Sequence, residues 1–265
     1  ARNLEALVPL LTPQYAERCM FCTDDKHPSD LLEKGHIDYI AREAINKYGV
    51  DPIIAVKAAC HHASRYFLLN NRGAIAPGYL ADFAVIDNFK DFNVEMVFKK
   101  GVLYWNNGEL RDFDAPQIEE YLDKRAHDTF HVATLTPDDF RDTRQRGVLG
   151  MVPGEIITTD NGYADHVDLE KDILKIAVVE RHKGTHHIGL GYIQGYGLRS
   201  GAVATSISHD SHNIIVVGTN SADMAFAANY IVEHHGGIVV VENGVVKGSV
   251  VLEIAGIMSD RPLTE

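Results

Sequence analysis

Residues 197–220 read GLRSGAVATSISHDSHNIIVVGTN, and this stretch decides most of what the sequence predicts about the fold. Two apolar runs, Gly201–Ile207 and Ile214–Gly218, flank six consecutive polar residues. Apolar runs of this length that are rich in Val and Ile favour buried strands. The sequence therefore predicts strands at Ala202–Ser208 and Ile214–Gly218, joined by a polar connection.

That polar connection, Ser208–Asn213, is the first candidate site. It carries two imidazoles, a carboxylate, two hydroxyls and an amide within six residues, among them His209, Asp210, Ser211 and His212. A plain turn would also be polar, so a structural interpretation stays open. Polar side chains concentrated on a loop that a rigid sheet holds are, however, typical of functional sites.

The residues around this pair of strands predict an α/β unit. Further strands are predicted at Gly154–Thr158 and Ile173–Arg181, and a helix at Ala222–His235. A hairpin with an Asn-Gly turn follows, Ile238–Val251. The glycines of Gly189–Gly197 predict close backbone packing or a mobile flap, and no Gly-Lys-Ser/Thr follows them to make a phosphate-binding loop.

The N-terminal part supplies the second candidate site. The short apolar run Cys19–Thr23 predicts a buried strand whose C-terminal end presents Asp24 and Asp25. Carboxylates at the strand ends of a β/α barrel can bind a divalent cation and accept a proton. A turn-capping Asp24 beside a solvated Asp25 is the structural alternative.

The segments that follow predict two helices and then a small β region. Helices are predicted at Ile37–Tyr48 and from Asp51 to Phe67, the second with Asp51 as N-cap. A strand at Ala81–Asp87 and a hairpin over Val94–Trp105 come next. The charged stretch 111–149 predicts a connecting region with one helix, Ile118–Lys124.

Composition and charge exclude several classes of protein. The 265 residues include 37 acidic and 25 basic side chains, and a net charge of −12 argues against a nucleic-acid partner. No apolar run reaches the roughly 18–20 residues that span a bilayer, so no membrane partner is expected. Three cysteines suit a reducing cytoplasm. The 14 histidines raise the question of metal or proton-transfer chemistry.

Several of these strings resemble one known family. Phe21–Pro28 with Gly35–Ile37, and the whole of 197–220, are similar to the bacterial adenine deaminases of the amidohydrolase superfamily. Residues 73–82 resemble the superfamily's return from its barrel to a small β-sandwich. The resemblance covers essentially the whole chain, as the C-terminal half or so of the family's polypeptide.

The resemblance implies an α/β fold class with a definite order of parts. These parts are the terminal part of a metal-dependent hydrolase β/α barrel in 1–72, a small β-sandwich segment in 73–112, a connecting region in 113–150, and a C-terminal α+β domain in 151–265.

The resemblance also implies an activity and its site. The family hydrolyses adenine to hypoxanthine and ammonia, so a cytoplasmic homo-oligomer acting on a small purine base is expected. A divalent metal, iron or manganese with zinc as a further option, would supply a hydroxide. Asp24 matches the last-strand metal ligand and proton acceptor, Asp25 is the adjacent catalytic candidate, and substrate binding is assigned to His209, Asp210, Ser211 and His212.

The chain departs from the family pattern in its metal ligands, because it contains no His-x-His pair. The metal is therefore expected in the full-length enzyme, and this fragment alone is expected to bind none and to be inactive or impaired. Two alternatives stay open. One is another cyclic-amide amidohydrolase, similar to dihydroorotase or hydantoinase, and the other is a non-catalytic ligand-binding or assembly module.

Overall fold

The computed structural model describes residues 3–24, 26–113 and 116–262, and these form two compact units. Unit 1 comprises the described residues up to Pro116 together with Pro262, and unit 2 comprises Gln117–Arg261. The structure is a mixed α/β protein with a sheet in each unit, which confirms the fold class at that level. The four-part division implied by the resemblance stays a prediction.

Unit 1 begins with short helices. Their bounds are α1 Leu4–Leu7, α2 Pro28–Lys34, α3 Ile37–Asn46, α4 Pro52–Ala59 and α5 His61–Tyr66, with 3-10 turns at Val8–Leu10 and Ala16–Arg18. Asp51 caps α4 as predicted, because its Oδ1 accepts hydrogen bonds from the Ile53 and Ile54 N–H groups. The predicted helix over Asp51–Phe67 is broken in two at Cys60, whose backbone leaves the helical region.

The buried strand predicted at Cys19–Thr23 is wrong, since this segment joins no sheet in the described residues. Its backbone is bonded to helices instead. The Phe21 N–H donates to the Ala58 carbonyl (3.0 Å), and His62 Nδ1 donates to the Cys19 carbonyl (3.0 Å). Backbone polar groups need partners, and here the helical pair α4–α5 supplies them in place of a neighbouring strand.

The sheet of unit 1 confirms the predicted strand and hairpin. Its antiparallel strands lie in chain order as β1 Phe83–Ile86, β2 Val94–Lys99, β3 Val102–Asn106 and β4 Glu109–Leu110. The rings of Phe83 and Phe98 stack across β1 and β2 with centroids 4.7 Å apart. Such cross-strand aromatic pairs stabilise the register.

The sheet of unit 2 has eight strands among the described residues. They are β5 Arg146–Met151, β6 Thr158–Ala164, β7 Ile173–Val179, β8 Ile188–Gln194, β9 Ala202–Thr205, β10 Ile214–Gly218, β11 Gly237–Glu242 and β12 Val245–Val251. The spatial order is β12-β11-β9-β10-β7-β8-β5-β6. The pairing of β5 with β8 is parallel and the other pairings are antiparallel.

The larger of the two buried apolar clusters described in unit 2 lies between one face of this sheet and a single long helix. Helix α6 spans Glu120–His127, a 3-10 turn spans Pro137–Phe140, and α7 spans Ser221–Glu233. Helix α7 buries Met224, Ala228 and Ile231 against sheet residues such as Val216 and Val239. Alanines along α7 let the helix approach the sheet closely, and each large apolar side chain buried this way contributes about 1.5–3 kcal/mol. In the described part of the chain no helix has the length and apolarity to cross a membrane.

The sequence predictions for unit 2 are confirmed at its centre and wrong at its margin. Strand β10, helix α7 and the β11–β12 hairpin lie where they were expected. Residues 154–157 form no strand, because β6 begins only at Thr158 after a turn in which Gly154 has a φ of +80°. Gly189–Gly197, for which close backbone packing or a mobile flap was predicted, is not a flap: most of it belongs to strand β8. The glycines of this strand interrupt the alternation of apolar residues by which a strand is recognised.

Candidate functional site

The polar connection between β9 and β10 forms a compact loop at one end of the unit 2 sheet. Ser208 is buried at its start, and the side chains of His209, Asp210 and Ser211 are exposed. His212 is half-buried. The structure therefore brings the four predicted binding residues together on one loop and presents three of them to solvent.

Hydrogen bonds within the loop close it on itself. The Ser208 N–H donates to His212 Nδ1 (3.2 Å), and the His212 N–H donates to the Ser208 carbonyl (2.5 Å). The imidazoles of His209 and His212 meet edge to face, with ring centroids 5.0 Å apart and an interplanar angle of 67°. His212 adopts a left-handed backbone with a φ of 49°. These contacts give the loop one defined shape.

Arg181, which follows β7, anchors this loop to the rest of the unit. Its Nε donates to the His212 carbonyl (2.5 Å), and its backbone N–H donates to Asn213 Oδ1 (3.3 Å). The remaining guanidinium nitrogens donate to the carbonyl oxygens of Thr129 and Ala255, both at 2.8 Å. Arg181 is only 2% exposed, and its guanidinium lies 4.2 Å from the Phe130 ring centroid. Burial lowers the pKa of this guanidinium.

Sequence reasoning missed Arg181 as a residue of this site. The signal for it is weak: the strand predicted at Ile173–Arg181 ends on a charged residue after a run of apolar ones. The groups that it binds belong to segments 31 to 74 residues away in the chain. No local pattern reveals such partners.

Neighbouring residues support the same end of the sheet. His182 Nε2 donates to the Ser211 carbonyl (2.8 Å), and Asn213 Nδ2 donates to Ser211 Oγ (3.3 Å). Glu180 accepts hydrogen bonds from the backbone N–H groups of His182, Lys183 and Thr185 and from the Thr185 hydroxyl. The loop therefore rests on a turn that is itself tightly bonded.

The hydrogen bonds of Glu180 in this turn should make the stability of the protein depend on pH. Burial alone would raise the pKa of Glu180, but the hydrogen bonds from Thr185 and from three backbone N–H groups outweigh it and lower the pKa from 4.5 to about 2. A carboxyl whose pKa is lowered by folding adds stability above pH 4.5, and that stability is lost as the pH falls toward 2. Urea unfolding at pH 6 and pH 3 gives the free energy of unfolding at each pH. This free energy should fall less between pH 6 and pH 3 in Glu180→Gln than in the wild type. An equal loss in both proteins would contradict this account.

Asp24 lies in unit 1, where the predicted carboxylate pair is described only in part. Asp24 is exposed, with a left-handed φ of 54°, and Asp25 lies outside the described residues. Close by in the chain, Thr23 Oγ1 lies 3.5 Å from His36 Nε2. No three His, Cys, Asp or Glu side chains within the described ranges come together as a possible metal-binding group.

A shallow cavity lies on the face of the unit 2 sheet opposite α7. Its volume is about 670 Å³, and its floor includes Gly147, Gly189 and Gly191 beside Ile176 and Val178. None of the predicted binding residues of the loop lines this cavity. The case for a site in unit 2 therefore rests on the loop.

Comparison with known proteins agrees with the motifs. Residues 154–265 match the family described as "Adenine deaminase C-terminal domain", and residues 2–104 match "Amidohydrolase family". The chain matches a fragment of an adenine deaminase. Both candidate sites fall inside these matches, since Asp24 lies in the amidohydrolase match and loop 208–213 lies in the adenine deaminase match.

Curated adenine deaminases match the chain along its whole length. The adenine deaminase of Nitratidesulfovibrio vulgaris is 41% identical over 278 residues, which cover 100% of this chain and 47% of that protein. That of Kosmotoga olearia is 41% identical, covering 98% of this chain and 46% of the relative, and "Adenine deaminase 1" of Rhizobium etli is 38% identical, covering 99% and 47%. The chain thus spans about half the length of the curated adenine deaminases that it matches.

Proposed function

We propose that this chain is part of a metal-dependent adenine deaminase, a hydrolase that serves purine salvage in the cytoplasm. The observation that carries the proposal is the match to adenine deaminases over the full length of the chain. In the reaction the oxygen of a water molecule bonds to C6 of adenine and the bond from C6 to the amino nitrogen breaks. The products are hypoxanthine and ammonia: one hydrogen of the water goes to the leaving nitrogen, which becomes ammonia, and the other ends on N1 of hypoxanthine.

Loop 208–213 is proposed to bind the purine. Adenine presents ring nitrogens that accept hydrogen bonds and an amino group that donates them. The loop carries groups of both kinds, because imidazoles and hydroxyls can donate while the Asp210 carboxylate accepts. Three of its side chains are exposed on a backbone held by Arg181 and by the Ser208–His212 hydrogen bonds. An accessible loop of defined shape is suited to recognise a small rigid base.

Asp24 is proposed to take a proton from the attacking water and to pass it to the leaving amino group. An exposed carboxylate suits this transfer, and general acid–base catalysis typically contributes about 100- to 10,000-fold to a rate. Asp25 is retained as an adjacent catalytic candidate.

The divalent metal that the family implies is not accommodated by the described residues alone. Catalytic zinc sites, for example, use about three protein ligands, and Asp24 is the one candidate here with no metal-binding group around it in the described ranges. Turnover by this chain alone is expected to be far below that of a complete adenine deaminase.

Adenine turnover tests the proposal directly. The complete gene product that contains this chain should release hypoxanthine and ammonia from adenine when manganese or iron is supplied. Dihydroorotate and hydantoin serve as competing substrates of the cyclic-amide class. Hydrolysis of either one without turnover of adenine would contradict the proposed substrate.

The role of the loop predicts a kinetic effect for His209→Ala. Losing one hydrogen bond to a ligand costs about 0.5–1.5 kcal/mol, which corresponds to roughly a 2- to 12-fold fall in kcat/KM. His209 is exposed, so the fold should persist. His166→Ala is the matched control, because His166 is an exposed histidine of unit 2 that pairs with Asp165 away from the loop. Equal kinetics for both variants and the wild type would mean that the loop does not meet the substrate.

A further inference from the structure

The side chain of His212 is held in a way that determines which ring nitrogen carries the proton. A backbone N–H can only donate, so the bond from Ser208 N–H to His212 Nδ1 requires that Nδ1 be unprotonated. In the neutral ring the proton then lies on Nε2. The loop geometry therefore makes His212 a hydrogen-bond donor through Nε2.

That geometry depends on where the His212 backbone lies. The His212 carbonyl accepts from Arg181 Nε, while the adjacent Asn213 side chain accepts from the Arg181 N–H. The same guanidinium is bonded to Thr129 and Ala255, which belong to two other segments of unit 2. Arg181 thus joins the C-terminal end of the loop to a fixed frame.

Arginine is the side chain that can make this connection. Its planar fork donates in several directions at once, whereas lysine has one compact ammonium group with no planar fork. Within the part of the chain that the structure describes, the Arg181 side chain donates to carbonyl oxygens and to the Thr129 hydroxyl, and no carboxylate is among these hydrogen-bond partners. The Phe130 ring covers the guanidinium. A buried cation bonded in this way has little freedom to move, which suits a support for a loop.

We propose that Arg181 is a positioning residue that fixes loop 208–213 and thereby holds His212 as an Nε2–H donor for an acceptor nitrogen of a purine. The use of that donor on a purine rests on the proposed function. The effect of Arg181 on the loop does not, because it concerns hydrogen bonds within this chain.

The tautomer of His212 provides a readout that a merely structural arginine would not change in a folded protein. Histidine ring nitrogens give distinct signals in ¹⁵N-edited NMR spectra, and the His212 signals can be assigned by their loss in His212→Gln. The wild-type chain, at a pH where the ring is neutral, should show the Nε2–H form. In Arg181→Lys the ratio of Nε2–H to Nδ1–H should fall by about threefold or more, because the Ser208–His212 bond is no longer enforced.

Two further variants keep the test decisive. Arg199→Lys is the matched control, since the described hydrogen bond of the Arg199 guanidinium goes to the Leu169 carbonyl and not to the loop. The His212 signals of this variant should be unchanged. If Arg181→Lys fails to fold, Asn213→Ala removes the acceptor of the Arg181 N–H and should shift the His212 tautomer in the same direction. An unchanged His212 tautomer in a folded Arg181→Lys, or in Asn213→Ala when Arg181→Lys does not fold, would overturn the proposal.

Addition of adenine separates this proposal from the proposed function. If adenine leaves the wild-type His212 signals unchanged while Arg181→Lys shifts the tautomer, the positioning role stands and the purine-binding role of the loop fails. If adenine perturbs the His212 signals in the wild type and less in Arg181→Lys, both are supported.

Discussion

Replacement of Asp24 by Asn in the complete gene product is expected to lower kcat for adenine by about 100- to 10,000-fold. The substitution removes the carboxylate that is proposed to move the proton and leaves an amide of almost the same shape. The backbone should tolerate it, because Asp24 has a φ of 54° and Asn is one of the few residues that visit the left-handed region readily. Steady-state kinetics with adenine, together with a circular dichroism spectrum, measure the two effects separately.

Asp172→Asn is the matched control for this experiment. Asp172 also has a φ of 54°, but its carboxylate accepts from the Gly197 N–H, and it precedes β7 at the end of that strand away from loop 208–213. We expect its turnover to stay close to that of the wild type. If Asp24→Asn turned adenine over at the wild-type rate, the proposed role of Asp24 in proton transfer would be wrong.

The second large effect is expected on stability, from Gly237→Ala. Gly237 opens β11 with a φ of +125°, and a Cβ there would overlap the carbonyl oxygen of Val250 on β12. Its N–H also donates to Ser206 Oγ (2.8 Å), so the backbone cannot simply move aside. Backbone strain and overpacking each cost about 1–3 kcal/mol, and the free energy of unfolding of unit 2 should fall by roughly 3 kcal/mol or more.

Gly244→Ala separates the two contributions. Gly244 also has a positive φ, +70°, but no atom lies within 4 Å of the place where its Cβ would be. Only the left-handed backbone is then strained, at a cost of about 1–2 kcal/mol. Urea unfolding followed by far-ultraviolet circular dichroism should show the highest free energy of unfolding for the wild type, a lower one for Gly244→Ala and the lowest for Gly237→Ala. An equal loss in both variants would show that the overlap with Val250 is relieved at little cost.

The single tryptophan helps to show which unit the Gly237→Ala substitution destabilises. Trp105 lies on β3 of unit 1, so its fluorescence reports on that unit. In Gly237→Ala the midpoint of the circular dichroism transition should lie at a lower urea concentration than in the wild type. The midpoint of the Trp105 fluorescence transition should shift less. Matching shifts in both signals would mean that the two units unfold as one.

The parts of the fold that could be predicted are those decided by nearby residues. Strand β10 is a continuous apolar run, the β11–β12 turn is an Asn-Gly pair, and Asp51 precedes Pro52 at the start of α4. Each signal lies within a few residues of the element that it specifies. Strand β8 was missed because its glycines replaced the side chains that periodicity depends on, and β5 because it lies in a highly charged stretch.

The pairing of the strands could not be predicted for a different reason. Strand β9 lies between β11 and β10, and β5 pairs in parallel with β8. These arrangements depend on contacts between segments that are far apart in the chain. The strand predicted at Cys19–Thr23 failed in the same way, since an apolar run becomes a strand only beside another strand.

The candidate site also has features that nearby residues decide and features that depend on distant parts of the chain. The position of loop 208–213 between two strands could be predicted, because a polar hexapeptide between two apolar runs is a local signal. The Ser208–His212 bond and the support from Arg181 could not, since they depend on the folded backbone. Asp24 was predicted as a strand-end carboxylate and is instead an exposed residue on an irregular segment.

The bonds of Arg181 also have a consequence for the order in which unit 2 folds. Its acceptors on Thr129, His212 and Ala255 come from both ends and the middle of the unit, and closing such long stretches of chain is slow compared with forming a hairpin or a helix. The loop therefore reaches its final shape only after the terminal segments have docked. In a refolding experiment the Nε2–H signal of His212 should be among the last native signals to emerge, later than the protection of amides in β11 and β12.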